Sequence, residues 1–166
     1  MSFKYLIFDR DKIENKPLSY KFMDHIDELV TEEKFFTPFG SIYLFKLFFK
    51  NILNYYSIEN ADTLAKNIID GNSEFIYDEP KVYKTFYVRF LDYQFIKNFL
   101  ILMKKYPPSE HTHLIPDRLY DKPYIRDKKT IGVIKDQFLI RIQEYLSFFE
   151  KVENDGQIMV IYRRDN

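Results

Sequence analysis

Two histidines, His111 and His113, stand two residues apart and directly follow Glu110. Alternate side chains of an extended segment point to one side, so both imidazoles can reach one metal ion, with Glu110 or Asp117 adding an oxygen ligand. A metal site needs three or four converging ligands, and the sequence holds one further histidine, His25, set among acidic residues. The alternative interpretation is a polar loop that contains two histidines. We expect no bound metal or other cofactor, although the sequence leaves metal binding by this pair open.

Two aspartates, Asp9 and Asp11, follow directly on the apolar run Tyr5–Phe8. An apolar strand followed by Asp-x-Asp resembles the first motif of the haloacid-dehalogenase phosphatases. The resemblance implies a nucleophile at Asp9, an acid/base at Asp11 and a Mg²⁺ ion that holds the phosphate. The sequence departs from the family at Lys12, where a small β-branched residue is usual, and no later strand ends in an acidic pair. The alternative interpretation is a strand end with solvated charges.

Basic and aromatic residues alternate before the last long helical pattern. The basic members are Arg118, Lys122, Arg126, Lys128 and Lys129, and the aromatic members are Tyr120 and Tyr124. Such interleaving can hold a single nucleic-acid strand through phosphate contacts and base stacking. Three aspartates interrupt the cluster, and the 25 basic residues of the chain balance 25 acidic ones. Nucleic acid is therefore not an expected partner.

A second charged group is acidic. Its members are Asp24, Asp27, Glu28, Glu32 and Glu33. An acidic surface could meet a basic protein, such as a nuclease whose active site must be blocked. The alternative interpretation is a solvated face.

The composition indicates one globular domain, residues 1–166, that can bury a sizeable core. Apolar residues make up 46% and aromatic residues 19%, with 14 tyrosines and no tryptophan. Tyrosine hydroxyls need partners when buried, so some tyrosines are expected at a binding surface. Cysteine is absent, which excludes disulfides, and the first residues lack a signal-peptide pattern. We expect a cytoplasmic protein without a membrane segment.

The elements that must position these residues are organised around one stretch, Ile42–Tyr56. Its polar residues Lys46, Lys50 and Asn54 recur every four positions, and nearly everything else is apolar. A helix that is apolar almost all round is expected in a core. Ser41 and Ser57 are predicted as helix caps, the first for this helix and the second for the next one.

The remaining pattern predicts four strands and four further helices. The predicted strands are 3–8, 74–78, 81–91 and 157–163, and the predicted helices are 18–30, 58–70, 92–106 and a long helix from Asp136 to Val152. Residues 31–40 are predicted to be a connection. The fold class is α+β: about five helices packed on a small mixed or antiparallel sheet of about four strands.

Residues 107–129 form a predicted loop without periodicity that holds four of the seven prolines. A loop of this length inside a compact domain is uncommon and often functional. We therefore look for partner contacts here and in the acidic group. The candidate contact residues are Asp24, Asp27, Glu28, Glu32, Glu33, His111, His113, Tyr120, Tyr124 and Arg126.

The chain resembles small bacterial immunity proteins of the contact-dependent growth inhibition type. The resemblance lies in the opening Phe3–Ile13, the closing Gln157–Arg164, the Lys/Ile/Phe/Asn-rich usage and the single cysteine-free domain. It implies a non-catalytic protein that binds a cognate toxin domain and neutralises it by occluding its active site. The alternative function is a metal-dependent, phosphatase-like hydrolase that uses Asp9 with Asp11, or His111 with His113. A homodimer also remains open, with surplus aromatic residues meeting across a self-interface.

Overall fold

The computed structural model describes residues 2–9, 30–74, 86–152 and 156–163. Five strands are described: β1 Ser2–Asp9, β2 Val30–Pro38, β3 Ser73–Glu74, β4 Phe86–Asp92 and β5 Gly156–Arg163. Four α-helices are described: α1 Phe39–Tyr55, α2 Ala61–Asp70, α3 Tyr93–Lys105 and α4 Lys128–Glu150. Three 3₁₀ turns lie between α3 and α4, at Pro108–Glu110, Thr112–Leu114 and Asp117–Leu119.

The described strands form one sheet in the order β2-β1-β5-β4-β3, and every pairing is antiparallel. The first and last strands of the described chain are neighbours in the middle of the sheet, where Tyr5 lies opposite Val160. The register between β1 and β2 shifts between Leu6 and Phe8. The sheet therefore joins the two ends of the described chain, and the helices lie in the sequence between them.

The prediction of about five helices on a sheet of about four strands is wrong. The described residues contain four α-helices of 17, 10, 13 and 23 residues, which dominate the fold. They also contain five strands, because β2 occupies the predicted connection at 31–40. Its charged residues break the apolar alternation that would indicate a strand. An edge strand can nevertheless carry charged residues and still pair with its neighbour. The predicted helix 18–30 and most of the predicted arm 74–78 lie outside the described residues.

Helix boundaries also differ from the predicted ones. Helix α1 begins before Ser41, which is therefore an internal residue and not its cap. Ser57 does not cap α2, because α2 begins at Ala61 after Asn60, and both Ser57 and Asn60 have left-handed backbone angles. Helix α4 begins eight residues before the predicted Asp136, where Asp127 accepts a hydrogen bond of 2.9 Å from the Thr130 N–H.

The core is built around α1, as predicted from its nearly continuous apolar surface. Six of its side chains are fully buried: Ile42, Phe45, Phe48, Phe49, Ile52 and Leu53. Tyr145 of α4 packs edge-on against Tyr5 of β1, with ring centroids 5.3 Å apart. The Tyr145 hydroxyl donates to the Ile68 carbonyl at 2.9 Å, and the Tyr5 hydroxyl donates to the Ile69 carbonyl at 2.8 Å. These buried bonds attach α4 and the sheet to the last turn of α2.

Helix α2 is followed by Gly71, whose φ of +94° lies in a region that favours glycine. A Cβ atom at this position would stand 2.7 Å from the Arg89 Cβ and 3.0 Å from the Phe90 carbonyl oxygen. The Asn72 N–H then donates to the same Phe90 carbonyl at 2.7 Å. The glycine thus permits the close approach of the helix end to β4.

None of the helices in the described ranges is both long and apolar enough to cross a bilayer.

Candidate functional site

His111 is buried, with 3% of its surface exposed, and both of its ring nitrogens have protein partners. Nδ1 lies 2.6 Å from the Pro107 carbonyl oxygen, and Nε2 lies 2.5 Å from the Tyr56 hydroxyl oxygen. A carbonyl can only accept, so in the neutral ring Nδ1 carries the proton and Nε2 accepts from the tyrosine. His111 therefore joins the loop to the end of α1 and has no lone pair left for a metal ion.

Tyrosine rings surround this histidine. Tyr56 stacks on Tyr106 with ring centroids 3.9 Å apart and planes 16° apart. Tyr55 meets Tyr56 edge-on at 5.0 Å and meets the His113 ring edge-on at 5.5 Å. Because each ring contacts at least one other, the end of α1, the end of α3 and the loop form one aromatic cluster. We call Tyr55, Tyr56, Tyr106, His111 and His113 the His–Tyr surface.

The loop beneath the His–Tyr surface is fixed to the core. The Asn51 side chain of α1 donates to the Leu114 carbonyl at 2.9 Å. Pro108, Ile115 and Pro116 are buried. Two 3₁₀ turns flank His111, and their backbone hydrogen bonds join residues three positions apart instead of four. Residues 107–116 are therefore held in a defined conformation by the core, although their sequence has no helix or strand periodicity.

The outer part of the His–Tyr surface is open to solvent. Tyr55 is 59% exposed and Tyr56 is 37% exposed, and His113 is exposed as well. Of the two predicted contact residues at this surface, His111 is buried and His113 is exposed. His111 supports the surface, and His113 forms part of it.

The electrostatic surroundings keep the Tyr56 hydroxyl protonated. Burial raises the pKa of Tyr56 above its ordinary value, and Tyr55, Tyr106 and Glu110 raise the pKa further. A phenol that stays neutral can donate a hydrogen bond, whereas a nucleophilic tyrosine would need a lowered pKa. Tyr56 therefore remains a hydrogen-bond donor to His111, and its surroundings give it no nucleophilic character.

Comparison with known proteins yields a structural likeness alone. No family model matches the chain, and no curated protein matches it. The crystal structure of YfbM from Escherichia coli, a protein of unknown function, is similar with a TM-score of 0.60 and 11% sequence identity. The likeness covers 99% of this chain and 100% of YfbM. At that identity it shows a shared fold and does not extend to function.

Residues 117–127, which we call the outer loop, carry the other predicted contact residues, of which Tyr120 is half-buried and Tyr124 and Arg126 are exposed. The Tyr120 hydroxyl donates to Asp117 at 2.6 Å, a bond that raises the pKa of Tyr120, and burial raises it further. Lys135 of α4 lies 4.9 Å from the centroid of the Tyr120 ring. Tyr124 is 81% exposed, and the exposed Arg126 donates to the Pro123 carbonyl at 3.2 Å. These residues are available to a partner.

The structure describes two of the five residues of the predicted acidic group. Glu32 and Glu33 lie in strand β2, so they do not share a helical face with the earlier acidic residues. Asp24, Asp27 and Glu28 lie outside the described residues, as does His25.

The geometry around Asp9 differs from that of a phosphatase strand. Asp9 is the last residue of β1 and pairs with Gly156 of β5. Both neighbours of β1 run antiparallel to it, whereas ligand sites of open α/β sheets form where parallel strands end together. Asp11 lies outside the described residues. Within the described ranges, no three His, Asp or Glu side chains gather as a metal site would require.

The sequence places Tyr55 and Tyr56 at the end of a core helix and does not indicate that both rings reach solvent. The available signal was a pair of hydroxyl-bearing rings that directly follows the apolar run, next to Asn54. A tyrosine at the end of a buried helix can place its ring on the core and its hydroxyl on a polar partner. The partner, His111, is 55 residues away in sequence from Tyr56, and local patterns do not show it.

Proposed function

We propose that this chain is a non-catalytic binding protein and that the His–Tyr surface contacts a partner protein. The observation that carries the proposal is the pair of exposed tyrosines, of which Tyr56 bonds to the buried His111 and Tyr55 packs edge-on against Tyr56. Tyrosine is enriched at the energetically dominant positions of protein interfaces because its ring gives contact area and its hydroxyl gives a hydrogen bond.

The rigidity of the surface supports the same proposal. Each side chain that a partner immobilises costs roughly 0.5–1.5 kcal/mol of entropy when it is free beforehand. Tyr56 is already fixed between Tyr106 and His111, and Tyr55 is fixed against Tyr56 and His113. The unbound protein therefore already holds the conformation that a partner needs.

The partner class that we propose is a cognate bacterial toxin domain, which the chain neutralises in the cytoplasm by covering the active site. Its support is the sequence resemblance to immunity proteins of contact-dependent growth inhibition. The half-buried Tyr120 and the exposed Tyr124 and Arg126 can extend the contact beyond the His–Tyr surface.

Calorimetric titration with the protein encoded by the adjacent gene tests the proposal, which predicts that this protein is a toxin domain. We expect tight binding together with loss of toxin activity, and a weakening of about tenfold or more for Tyr55→Ala. Tyr43→Ala is the matched control, because Tyr43 is 52% exposed and lies on the same helix, about 18 Å before Tyr55. It should bind within about twofold of the wild type.

Two results would reject the proposal. The first is a wild-type protein that neither binds the product of the adjacent gene nor inhibits its activity. The second is a Tyr55→Ala variant that binds as tightly as Tyr43→Ala while retaining the wild-type melting temperature.

A further inference from the structure

The ring of Tyr55 is the most open part of the His–Tyr surface. It is 59% exposed, and its ring contacts in the described part of the chain, with Tyr56, His111 and His113, are all edge-on. A ring that is more than half exposed and has no stacked neighbour keeps part of its face open to solvent. The face of an aromatic ring carries partial negative charge and attracts cations.

The negative end of helix α1 lies at the same place. Tyr55 is the last residue of the helix, and the last turn contains no basic residue. Free carbonyl groups give a helix C-terminus partial negative charge, which a nearby cation stabilises. The nearest lysine of this helix, Lys50, already pairs with Asp62 at 3.2 Å. Helix α1 therefore supplies no cation of its own to its C-terminal end.

Two carboxylates add negative charge around the ring. Glu110 is exposed and directly precedes His111, and its charge contributes, after burial and the neighbouring tyrosines, to the raised pKa of Tyr56. Glu59 is exposed in the turn between α1 and α2, three residues after Tyr56. Neither carboxylate forms an ion pair with another residue of the described ranges. Both are therefore available to a cation from another molecule.

Three other tyrosines already have a lysine over the ring. The pairs are Lys46 over Tyr43, Lys105 over Tyr106 and Lys135 over Tyr120, with distances of 5.7, 5.3 and 4.9 Å from the ammonium nitrogen to the ring centroid. These distances lie within the range of a cation–π contact. Among the described residues, no basic side chain occupies the corresponding position over Tyr55.

We propose that the open face of Tyr55 is the docking site for an arginine side chain of the partner protein. The guanidinium lies over the ring, and the Glu110 carboxylate and the end of α1 supply the negative charge beside it. Arginine suits this site better than lysine, because its planar group can stack on a ring while its edge donates hydrogen bonds to a carboxylate. The inference rests on the proposed function, since it names the side chain by which a partner recognises the His–Tyr surface.

The charges also restrict the partner. A partner whose contact surface is acidic would bring carboxylates against Glu59, Glu110 and the negative end of α1. Like charges at an interface are disfavoured, whereas opposite charges speed association and fix the orientation of the partner. The partner surface that covers Tyr55 is therefore basic, with an arginine at its centre.

Proton NMR with a tripeptide tests the site without a partner protein. The probe is Ac-Gly-Arg-Gly-NH₂, and the control probe at equal ionic strength and pH is Ac-Gly-Gln-Gly-NH₂, whose side chain is polar but uncharged. We expect the arginine peptide to shift the ring resonances of Tyr55 and His113 with a dissociation constant on the order of 10 mM. The glutamine peptide should shift them at least about threefold less. Tyr43 is the internal control, because its ring is 52% exposed but already has Lys46 over it.

Two substitutions of Tyr55 separate the ring from the hydroxyl. Tyr55→Phe keeps the aromatic face and should bind the arginine peptide within about 1.5-fold of the wild type. Tyr55→Leu keeps an apolar side chain without an aromatic face and should weaken binding by about threefold or more. The His113 ring, 5.5 Å from the Tyr55 ring in the wild type, reports binding in all three proteins.

A third substitution tests the carboxylate. Glu110→Gln should weaken binding of the arginine peptide by about twofold or more and should make binding less sensitive to added salt, because one charge of the pair is lost. Glu144→Gln is the matched control, because Glu144 is also exposed but lies on α4. It should bind the peptide like the wild type.

Two results would overturn the inference. One is an equal response of the Tyr55 ring to the arginine and glutamine peptides. The other is a Tyr55→Phe variant that loses as much binding as Tyr55→Leu, since the site would then depend on the hydroxyl and not on the ring face. Failure of the proposed function is a separate result: a wild type that passes the peptide test but does not bind the product of the adjacent gene keeps the arginine site and loses that partner.

Discussion

At the residue scale, His111 shows how a residue type associated with catalysis can serve a structural purpose. Its two nitrogens hold the Pro107 carbonyl and the Tyr56 hydroxyl, so its position is fixed from both sides. We expect His111→Leu to lower the free energy of unfolding by about 2 kcal/mol, because the Pro107 carbonyl loses its donor while the new side chain stays buried. Urea unfolding followed by circular dichroism measures the change.

The neighbouring histidine provides the control for this substitution. His113 is exposed, so His113→Leu should change the free energy of unfolding by less than about 0.5 kcal/mol. Equal effects of the two substitutions would show that the hydrogen bonds of His111 do not stabilise the fold. In that case the hydrogen bonds of His111 would not account for the rigidity of the His–Tyr surface.

At the element scale, alanine substitutions at two glycines are expected to change the stability of the fold in opposite directions. Gly71→Ala should destabilise the fold by about 2 kcal/mol or more, because φ is +94° and the new Cβ would stand 2.7 Å from the Arg89 Cβ. Gly132 lies inside α4 with no atom within 4 Å of a Cβ position, so Gly132→Ala should stabilise the protein by about 0.5–1 kcal/mol. Thermal melting of both variants and of the wild type measures the direction of each change in stability.

The two glycine substitutions control each other, since each adds one methyl group. Destabilisation by both would mean that α4 near Gly132 does not tolerate helix-forming side chains. Stabilisation by both would mean that the end of α2 can move away from β4. Either outcome contradicts the packing described for these elements.

The sequence predicted buried elements better than edge elements. Helix α1 was recognisable because nearly every position is apolar, and burial of Phe45, Phe49 and Ile52 confirms it as a core helix. Strand β2 was missed because its central residues are charged and its strand conformation depends on pairing with β1, which is distant in sequence. Its one described side chain, Phe35, lies against Tyr145 at 5.5 Å, a contact that no local pattern indicates.

The candidate site could be predicted only as a region. The loss of periodicity after residue 106 indicated the loop that carries His111 and His113. Tyr55 and Tyr56 could not be assigned to it, because the contacts that join them to the loop span more than fifty residues of sequence. Patterns of neighbouring residues report helix and strand, whereas a surface assembled from three elements depends on tertiary packing.

At the scale of the whole molecule, Tyr145 joins most of the elements. Its ring contacts Tyr5 of β1, Phe35 of β2 and Phe45 of α1, and its hydroxyl bonds to the end of α2. Burial raises the pKa of Tyr145 well above the ordinary value, and Tyr5 and Asp70 raise the pKa further. The folded protein therefore keeps this phenol protonated at a pH where the unfolded chain has lost the proton.

This difference makes stability depend on alkaline pH. Below the unfolded phenol pKa of about 10 the stabilisation is fully present, and above it stability falls by up to about 1.4 kcal/mol per pH unit for this group. Tyr145→Phe cannot lose a proton there but leaves the Ile68 carbonyl without its donor, which costs about 1–2 kcal/mol at pH 7. The stability difference between wild type and variant should therefore shrink above pH 10. Denaturant unfolding at pH 8 to 11 measures it, because the other titrating groups are common to both proteins. Parallel stability curves would show that the Tyr145 proton is not linked to folding.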